Sequence, residues 1–271
     1  MRPPARFTQI AACLSVLACL LVLAPALRAG PPQKTPKDAA EGFRAGVYHG
    51  KNGEQMNYRL FVPPGYDPVQ PYPIVLWLHN AAASGSDNLA QISETDYLGA
   101  HAWTSGENLQ KYHAFVLAPQ VPDAKGWSRP RGKEMPPNLR LALDILDSVE
   151  AKYHIDRERV YVAGESLGGE GVWRALAADP HRFAAAVALC GYGDAWEIPH
   201  VAKIPVWVFQ GQDDATVDVH RARDWVAELK KAGGAPKYTE YPAIGHNVWD
   251  LAFSEPTLVD WLFSHRRPDA K

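Results

Sequence analysis

The segment Val160-Tyr161-Val162-Ala163-Gly164-Glu165-Ser166-Leu167-Gly168-Gly169-Glu170-Gly171 constrains this chain more than any other. A β-branched apolar run meets a glycine-flanked serine, and a helical pattern from Leu167 to Ala178 follows at once. A strand that turns directly into a helix holds its apex residue in a strained backbone conformation, and a side chain on either flanking residue would collide with the adjoining strand or helix. The spacing therefore predicts a sharp strand-to-helix turn with the Ser166 hydroxyl exposed at the helix N-terminus. Free N–H groups and the positive end of the helix dipole favour a developing anion at that position. Such a turn can also bind phosphate, but the lysine of a P-loop and the G-x-G-x-x-G fingerprint are both absent. Gly191-Tyr192-Gly193 opens that fingerprint only superficially, since Trp196 takes the place of its third glycine and Pro199 interrupts the helix.

Other apolar runs rich in β-branched and aromatic residues predict strands at Tyr58 to Val62, Ile74 to Leu78, Ala114 to Ala118, Ala185 to Leu189, Val206 to Gln210 and Tyr238 to Tyr241. Helical patterns lie between several of them. The clearest is Leu139 to Tyr153, where Leu139, Leu143, Leu146, Val149 and Tyr153 recur at three- and four-residue steps between charged residues. Past residue 70 the apolar runs are near-continuous, as expected of strands covered on both faces of a parallel sheet. Strands alternating with helices, with no internal repeat and no Ser/Gly-rich linker after residue 40, predict one doubly wound, mostly parallel α/β domain over residues 46–266.

A serine hydroxyl is a poor nucleophile until a base takes its proton, and the base needs an acid to fix its tautomer and stabilise its cation. Both partners are expected on later loops at the strand ends. After Val206 to Gln210 comes Gly211-Gln212-Asp213-Asp214, and after Tyr238 to Tyr241 comes Ile244-Gly245-His246. His246 stands apart from the other nine histidines because it follows a strand and a glycine. Asp214 is the favoured acid, with Asp213, Asp218 and Asp194 as competitors.

Met1 to Gly30 has a basic start at Arg2 and Arg6, an apolar run from Ile10 to Leu27, and small-residue ends at Ala24-Pro25-Ala26 and Leu27-Arg28-Ala29. This predicts a secretory signal over residues 1–29, followed by a flexible Pro/Lys-rich leader over 30–45. An uncleaved anchor and a weak lipidation box at Val16-Leu17-Ala18-Cys19 are the alternatives. A secreted or periplasmic protein is therefore expected, with no stable membrane insertion once the signal is cleaved. Cleavage would remove Cys13 and Cys19 and leave Cys190, so the mature chain has no internal disulfide. Formal charge is −2, which offers no cationic field for nucleic acid. No clustered Cys/His spacing suggests a metal, and no cofactor is expected.

The segments around Ser166, Gly211 to Val217, and Tyr238 to Asp250 resemble the secreted α/β-hydrolases related to feruloyl and acetyl-xylan esterases, polyhydroxybutyrate depolymerases and dienelactone hydrolase-like peptidases. The likeness runs from about Tyr58 to Trp261. It implies hydrolysis of a carboxylic ester, in a small molecule or linked to a polysaccharide, with Ser166 as nucleophile, Asp214 as acid and His246 as base. It also implies an oxyanion loop at Leu78-His79-Asn80-Ala81-Ala82-Ala83, with Leu167 and Ala81 donating their N–H groups. The family usually has His-Gly here. Asn80 departs from that pattern, so either its backbone takes the left-handed conformation in place of glycine or its amide projects into the cleft and alters the hole or the substrate. Trp127 and Trp249 are expected at the strand-end face, where they would stack on a sugar or phenolic acyl group or merely anchor loops. Glu165 either supports the site from a buried position or is solvated, and Cys190 is expected as a buried small hydrophobe. A serine peptidase and a non-catalytic binding member of the fold are the rival readings.

Overall fold

A computed structural model describes residues 42–93, 98–122 and 126–267. The signal expected over residues 1–29 and the leader as far as residue 41 lie outside these described residues. Eight strands form a single sheet: β1 (Phe43–His49), β2 (Gln55–Phe61), β3 (Tyr72–Leu78), β4 (Phe115–Gln120), β5 (Ile155–Glu165), β6 (Ala185–Leu189), β7 (Val206–Gly211) and β8 (Lys237–Tyr241). Their order is β1-β2-β4-β3-β5-β6-β7-β8. β2 runs antiparallel to both β1 and β4, and every pairing from β4 through β8 is parallel.

The described α-helices are α1 (Gly106–Tyr112), α2 (Pro137–Lys152), α3 (Leu167–Ala178), α4 (Ile198–Val201), α5 (Val219–Lys231), α6 (Trp249–Phe253) and α7 (Leu258–Ser264). Successive side chains of a strand point to opposite faces, so each apolar run feeds two cores. Ile74, Leu76, Val160, Val162, Ala186 and Val208 face α2, α3 and α5, meeting Leu146, Trp173 and Trp225. Val75, Trp77, Tyr161, Val187, Trp207 and Phe209 face the other way, toward α6, α7 and Trp103 on the 3-10 turn Gly99–Trp103. Helices on both faces of a mostly parallel sheet make this the doubly wound α/β-hydrolase architecture. Among the described residues no helix is long and apolar enough to cross a membrane.

The sheet begins earlier than the sequence pattern suggests, because Phe43 opens β1 inside the segment 30–45 read as a leader. Its ring is buried 5.4 Å from Phe61 and 5.0 Å from His101. The rest of β1 is largely exposed at the sheet edge, so its sequence lacks the apolar run that marks the central strands. β5 also extends back to Ile155, which pairs with Tyr72 ahead of a register shift in the ladder.

Helix α3 crosses the sheet at backbone contact. A Cβ on Gly168 would lie 1.8 Å from the Leu78 carbonyl oxygen, and one on Gly164 would lie 2.5 Å from that of Gly168. Both obstacles are backbone, so neither can rotate away, and the turn between β5 and α3 is held in one geometry. Gly168→Ala must therefore push the helix off β3. Overpacking of this kind costs about 1–3 kcal/mol or more, and a urea denaturation midpoint lowered accordingly is the expected result.

Candidate active site

Ser166 sits at the apex of this turn with φ 51° and ψ −114°. A non-glycine residue in such a region costs on the order of 1–3 kcal/mol, which the surroundings must supply. Two backbone bonds hold it: Ser166 N–H donates to the Leu189 carbonyl at 2.8 Å, and Glu170 N–H donates to the Ser166 carbonyl at 3.0 Å. The first ties the apex to β6, the second to the first turn of α3.

The loop after β7 delivers Asp214, and the loop after β8 delivers His246. Two backbone bonds join these loops, Gln212 N–H to the Tyr241 carbonyl at 3.0 Å and Asp213 N–H to the Ile244 carbonyl at 2.9 Å. Asp214 Oδ1 accepts from the N–H groups of Thr216 at 2.9 Å and Val217 at 2.8 Å, while Oδ2 accepts from Gln210 Nε2 at 2.8 Å. His246 Nδ1 lies 2.8 Å from the same Oδ2, and His246 Nε2 lies 2.8 Å from Ser166 Oγ. Burial works to raise the Asp214 carboxyl, but the Val217 and Thr216 N–H groups and the imidazole together hold it below the usual carboxylate range. An ionised Oδ2 can only accept, so the imidazole proton resides on Nδ1 and Nε2 is left to accept from the serine hydroxyl.

The competing acids are placed elsewhere. Asp213 is exposed. Asp218 caps α5 through His220 N–H, and Asp194 binds Arg131 at 2.9 Å while closing a capping box with Glu197.

On the other side of Ser166 lies the loop after β3. Asn80 has φ −73° and ψ 179°, so it is extended and does not take the left-handed turn considered for it. Its amide does not project toward a ligand either. Oδ1 accepts from Ala82 N–H at 2.8 Å and Ala83 N–H at 3.2 Å, capping the 3-10 turn Ala81–Ala83, and Nδ2 donates to Glu165 Oε1 at 2.9 Å. Both ends of the Asn80 amide, expected to meet substrate if it projected into the cleft, are thus engaged within the protein. Glu165 is fully buried beside the turn, as the supporting alternative required. Behind the loop, His79 Nε2 accepts from Val121 N–H at 3.1 Å, which leaves Nδ1 to donate to the Asn80 carbonyl at 2.6 Å. Burial lowers the His79 pKa to about 4, so the ring is neutral. Leu167, as the first residue of α3, has no carbonyl within its helix to receive its N–H. Ala81 opens the 3-10 turn, ahead of the Ala82 and Ala83 N–H groups that Asn80 caps.

Both tryptophans expected to line a cleft are buried. Trp127 is inaccessible, its Nε1–H donating to the His79 carbonyl at 3.0 Å and its ring standing edge-on to His79 at 5.1 Å. Ser128 and Arg131 beside it bond to Glu170 of α3, so Trp127 supports the loop after β3 from beneath. Trp249, 6% exposed, stands edge-on to His246 with centroids 5.3 Å apart. It backs the imidazole and offers no open face for stacking. Cys190 is buried with its Sγ–H donating to the His246 carbonyl at 3.3 Å, and burial pushes its thiol up. Sγ, Asp214 and His246 fall within 4.8 Å of one another, but the relay to Ser166 already engages both imidazole nitrogens, so this cluster does not fit a metal. Sequence reasoning missed Gln210, which fixes Asp214, and Glu170, which receives Ser128 Oγ at 2.7 Å and Arg131 at 3.0 Å and so pins these two residues to α3. Glu170 meets partners 42 and 39 residues away, and Gln210, only four residues before Asp214, is an ordinary strand residue by type, so no local pattern marks either.

The family model Esterase matches residues 50–251. Among solved structures, a thermostable esterase superposes with TM-score 0.80 at 32% identity, covering 84% of this chain and 64% of that one. A CE1 ferulic acid esterase from Anaeromyces mucronatus, solved with ferulic acid, shares the fold at TM-score 0.60 and 15% identity, over 80% of this chain and 89% of its own. Among curated proteins, "Probable glutamyl endopeptidase, chloroplastic" of Arabidopsis thaliana is 26% identical over 149 residues, which are 53% of this chain and 16% of that protein. The chain therefore spans less than two thirds of the thermostable esterase and a small part of the curated relative. By the family match over most of its sheet, and by an architecture shared with that esterase, the chain belongs to the Esterase family of α/β-hydrolases.

Proposed function

We propose that this protein hydrolyses carboxylic esters through an acyl-enzyme formed on Ser166. The observation that carries the reading is the unbroken relay from Asp214 through His246 to Ser166, with 2.8 Å at each step, on an apex strained to φ 51°. In the proposed reaction His246 Nε2 takes the hydroxyl proton as Oγ attacks the ester carbonyl. The Asp214 carboxylate stabilises the imidazolium, and the N–H groups of Leu167 and Ala81 receive the oxyanion. The imidazolium then protonates the departing alcohol. Water enters, loses its proton to the same histidine and releases the acid.

The substrate proposed is a small or accessible ester. Burial of Trp127 and Trp249 removes the aromatic platforms that would favour a sugar or feruloyl group in particular. Peptide hydrolysis is the second reading, favoured by the likeness to the glutamyl endopeptidase. Engagement of the Asn80 amide within the loop speaks against a blocked oxyanion hole and hence against a non-catalytic binder.

A fluorophosphonate probe should label the wild-type protein at Ser166 and leave Ser166→Ala unlabelled; folded wild type that resists the probe would sink the hydrolase reading. Turnover of p-nitrophenyl acetate and longer acyl esters should exceed that of peptide anilides, and the reverse ranking would make the protein a peptidase. Asp214→Asn presents an amide to Nδ1 and disfavours the productive tautomer, so kcat should fall by about 10⁴, whereas Asp213→Asn should stay within about twofold of wild type, as expected of an exposed surface substitution. Export is proposed from residues 1–29. Mass spectrometry of the mature protein should find its N-terminus near Gly30, and an intact Met1 on the exported protein would refute cleavage.

A further inference from the structure

We propose that Glu165 and Asn80 form a strut between the nucleophile turn and the oxyanion loop, and that this pair positions the Ala81 N–H for the reaction. The inference rests on the ester-hydrolase reading and deepens it. Glu165 is the last residue of β5 and is covalently joined to Ser166, so its carboxylate moves with the nucleophile. Asn80 begins the facing loop and donates Nδ2–H to Glu165 Oε1 at 2.9 Å. The same amide uses Oδ1 to hold the next two N–H groups, Ala82 and Ala83, in the 3-10 turn. Those two donors are turned into the loop's own cap, and Ala81, the first residue of the 3-10 turn, directly precedes them.

Each polar end of the Asn80 side chain thus has a separate task. One end shapes the loop, and the other sets that loop's distance from Ser166. His79 restrains the same segment from behind through the Asn80 carbonyl. A glycine at position 80 would allow the turn but could supply neither bond.

An oxyanion donor contributes according to its placement. Removing one costs about 10²–10³ in rate, and a displacement of about 1 Å in a reacting constellation can cost about 10². Glu165 and Asn80 are positioning residues, since neither is aimed at substrate. Loss of the strut should therefore weaken transition-state binding more than ester binding.

The test compares Glu165→Leu, which fills the buried site without an acceptor, with Glu165→Gln, which keeps an oxygen for Asn80 Nδ2. With p-nitrophenyl acetate, Glu165→Leu should lower kcat by about tenfold to a hundredfold while KM moves less than twofold, in keeping with the loss of an interaction made only in the transition state. Its affinity for a trifluoromethyl ketone, whose tetrahedral adduct carries an oxyanion, should fall by the same factor as kcat/KM. Glu165→Gln should recover most of both losses. Asn80→Ser, which retains an oxygen able to cap but cannot span to Glu165, gives the same readout from the loop side should Glu165→Leu fail to fold. The strut is refuted if kcat survives the loss of the acceptor, if the damage falls on KM, or if Glu165→Gln is as impaired as Glu165→Leu. A wild-type protein that neither turns over esters nor reacts with the fluorophosphonate probe removes the ester reading and the strut together. An active wild type with unaffected variants removes the strut alone.

Discussion

The backbone contact between α3 and β3 is the constraint on which the rest of this molecule depends. At Gly168 the helix lies so close to the Leu78 carbonyl that no side chain can intervene. That approach fixes where β5 must end, forces Ser166 into its strained turn, and brings the loop after β3 alongside the helix N-terminus. Strain at Ser166 is held by bonds to β6 and to α3. The costs and the restraints are therefore in different strands of one sheet, and the sheet's two buried faces keep them in register.

The second requirement is that three loops from the same sheet edge meet. The loops after β7 and β8 are stitched to each other by backbone bonds, independently of the side-chain contact from His246 to Ser166. Asp214 then receives four donors, so its position and its charge are set by the same contacts. Asn80 does comparable work on the opposite side, and His79 and Trp127 close the layer beneath it. A common logic runs through the site: groups that would face substrate are held by buried polar groups one layer back, where low dielectric strengthens each bond.

Much of the fold was legible because central parallel strands are buried on both faces and write themselves as apolar runs. Ile74 to Leu78 and Val206 to Gln210 are examples, each fully or almost fully buried. β1 was not legible, since an edge strand with one buried aromatic lacks that signature. Ser166 could be singled out by its glycine spacing and His246 by its place after a strand and a glycine, whereas Asp214 was one of four candidate aspartates. The fates of Trp127, Trp249 and Asn80 could not be read. Whether a tryptophan after a strand faces a cleft or the core depends on how the residues around it are held, and here Arg131 reaches across to Glu170, 39 residues away, beside Trp127.

Periodicity and glycine spacing are enough to specify the doubly wound sheet and the glycine-bounded turn at Ser166. Both are local consequences of strand and helix periods and of the steric demands of glycine. Which of four aspartates meets His246, that Trp127 is a support, and that Asn80 is tied to Glu165 follow from assembly of the sheet. Those outcomes depend on hydrogen bonds between residues distant in the chain, whose distances and directions exist only once the strands are in register.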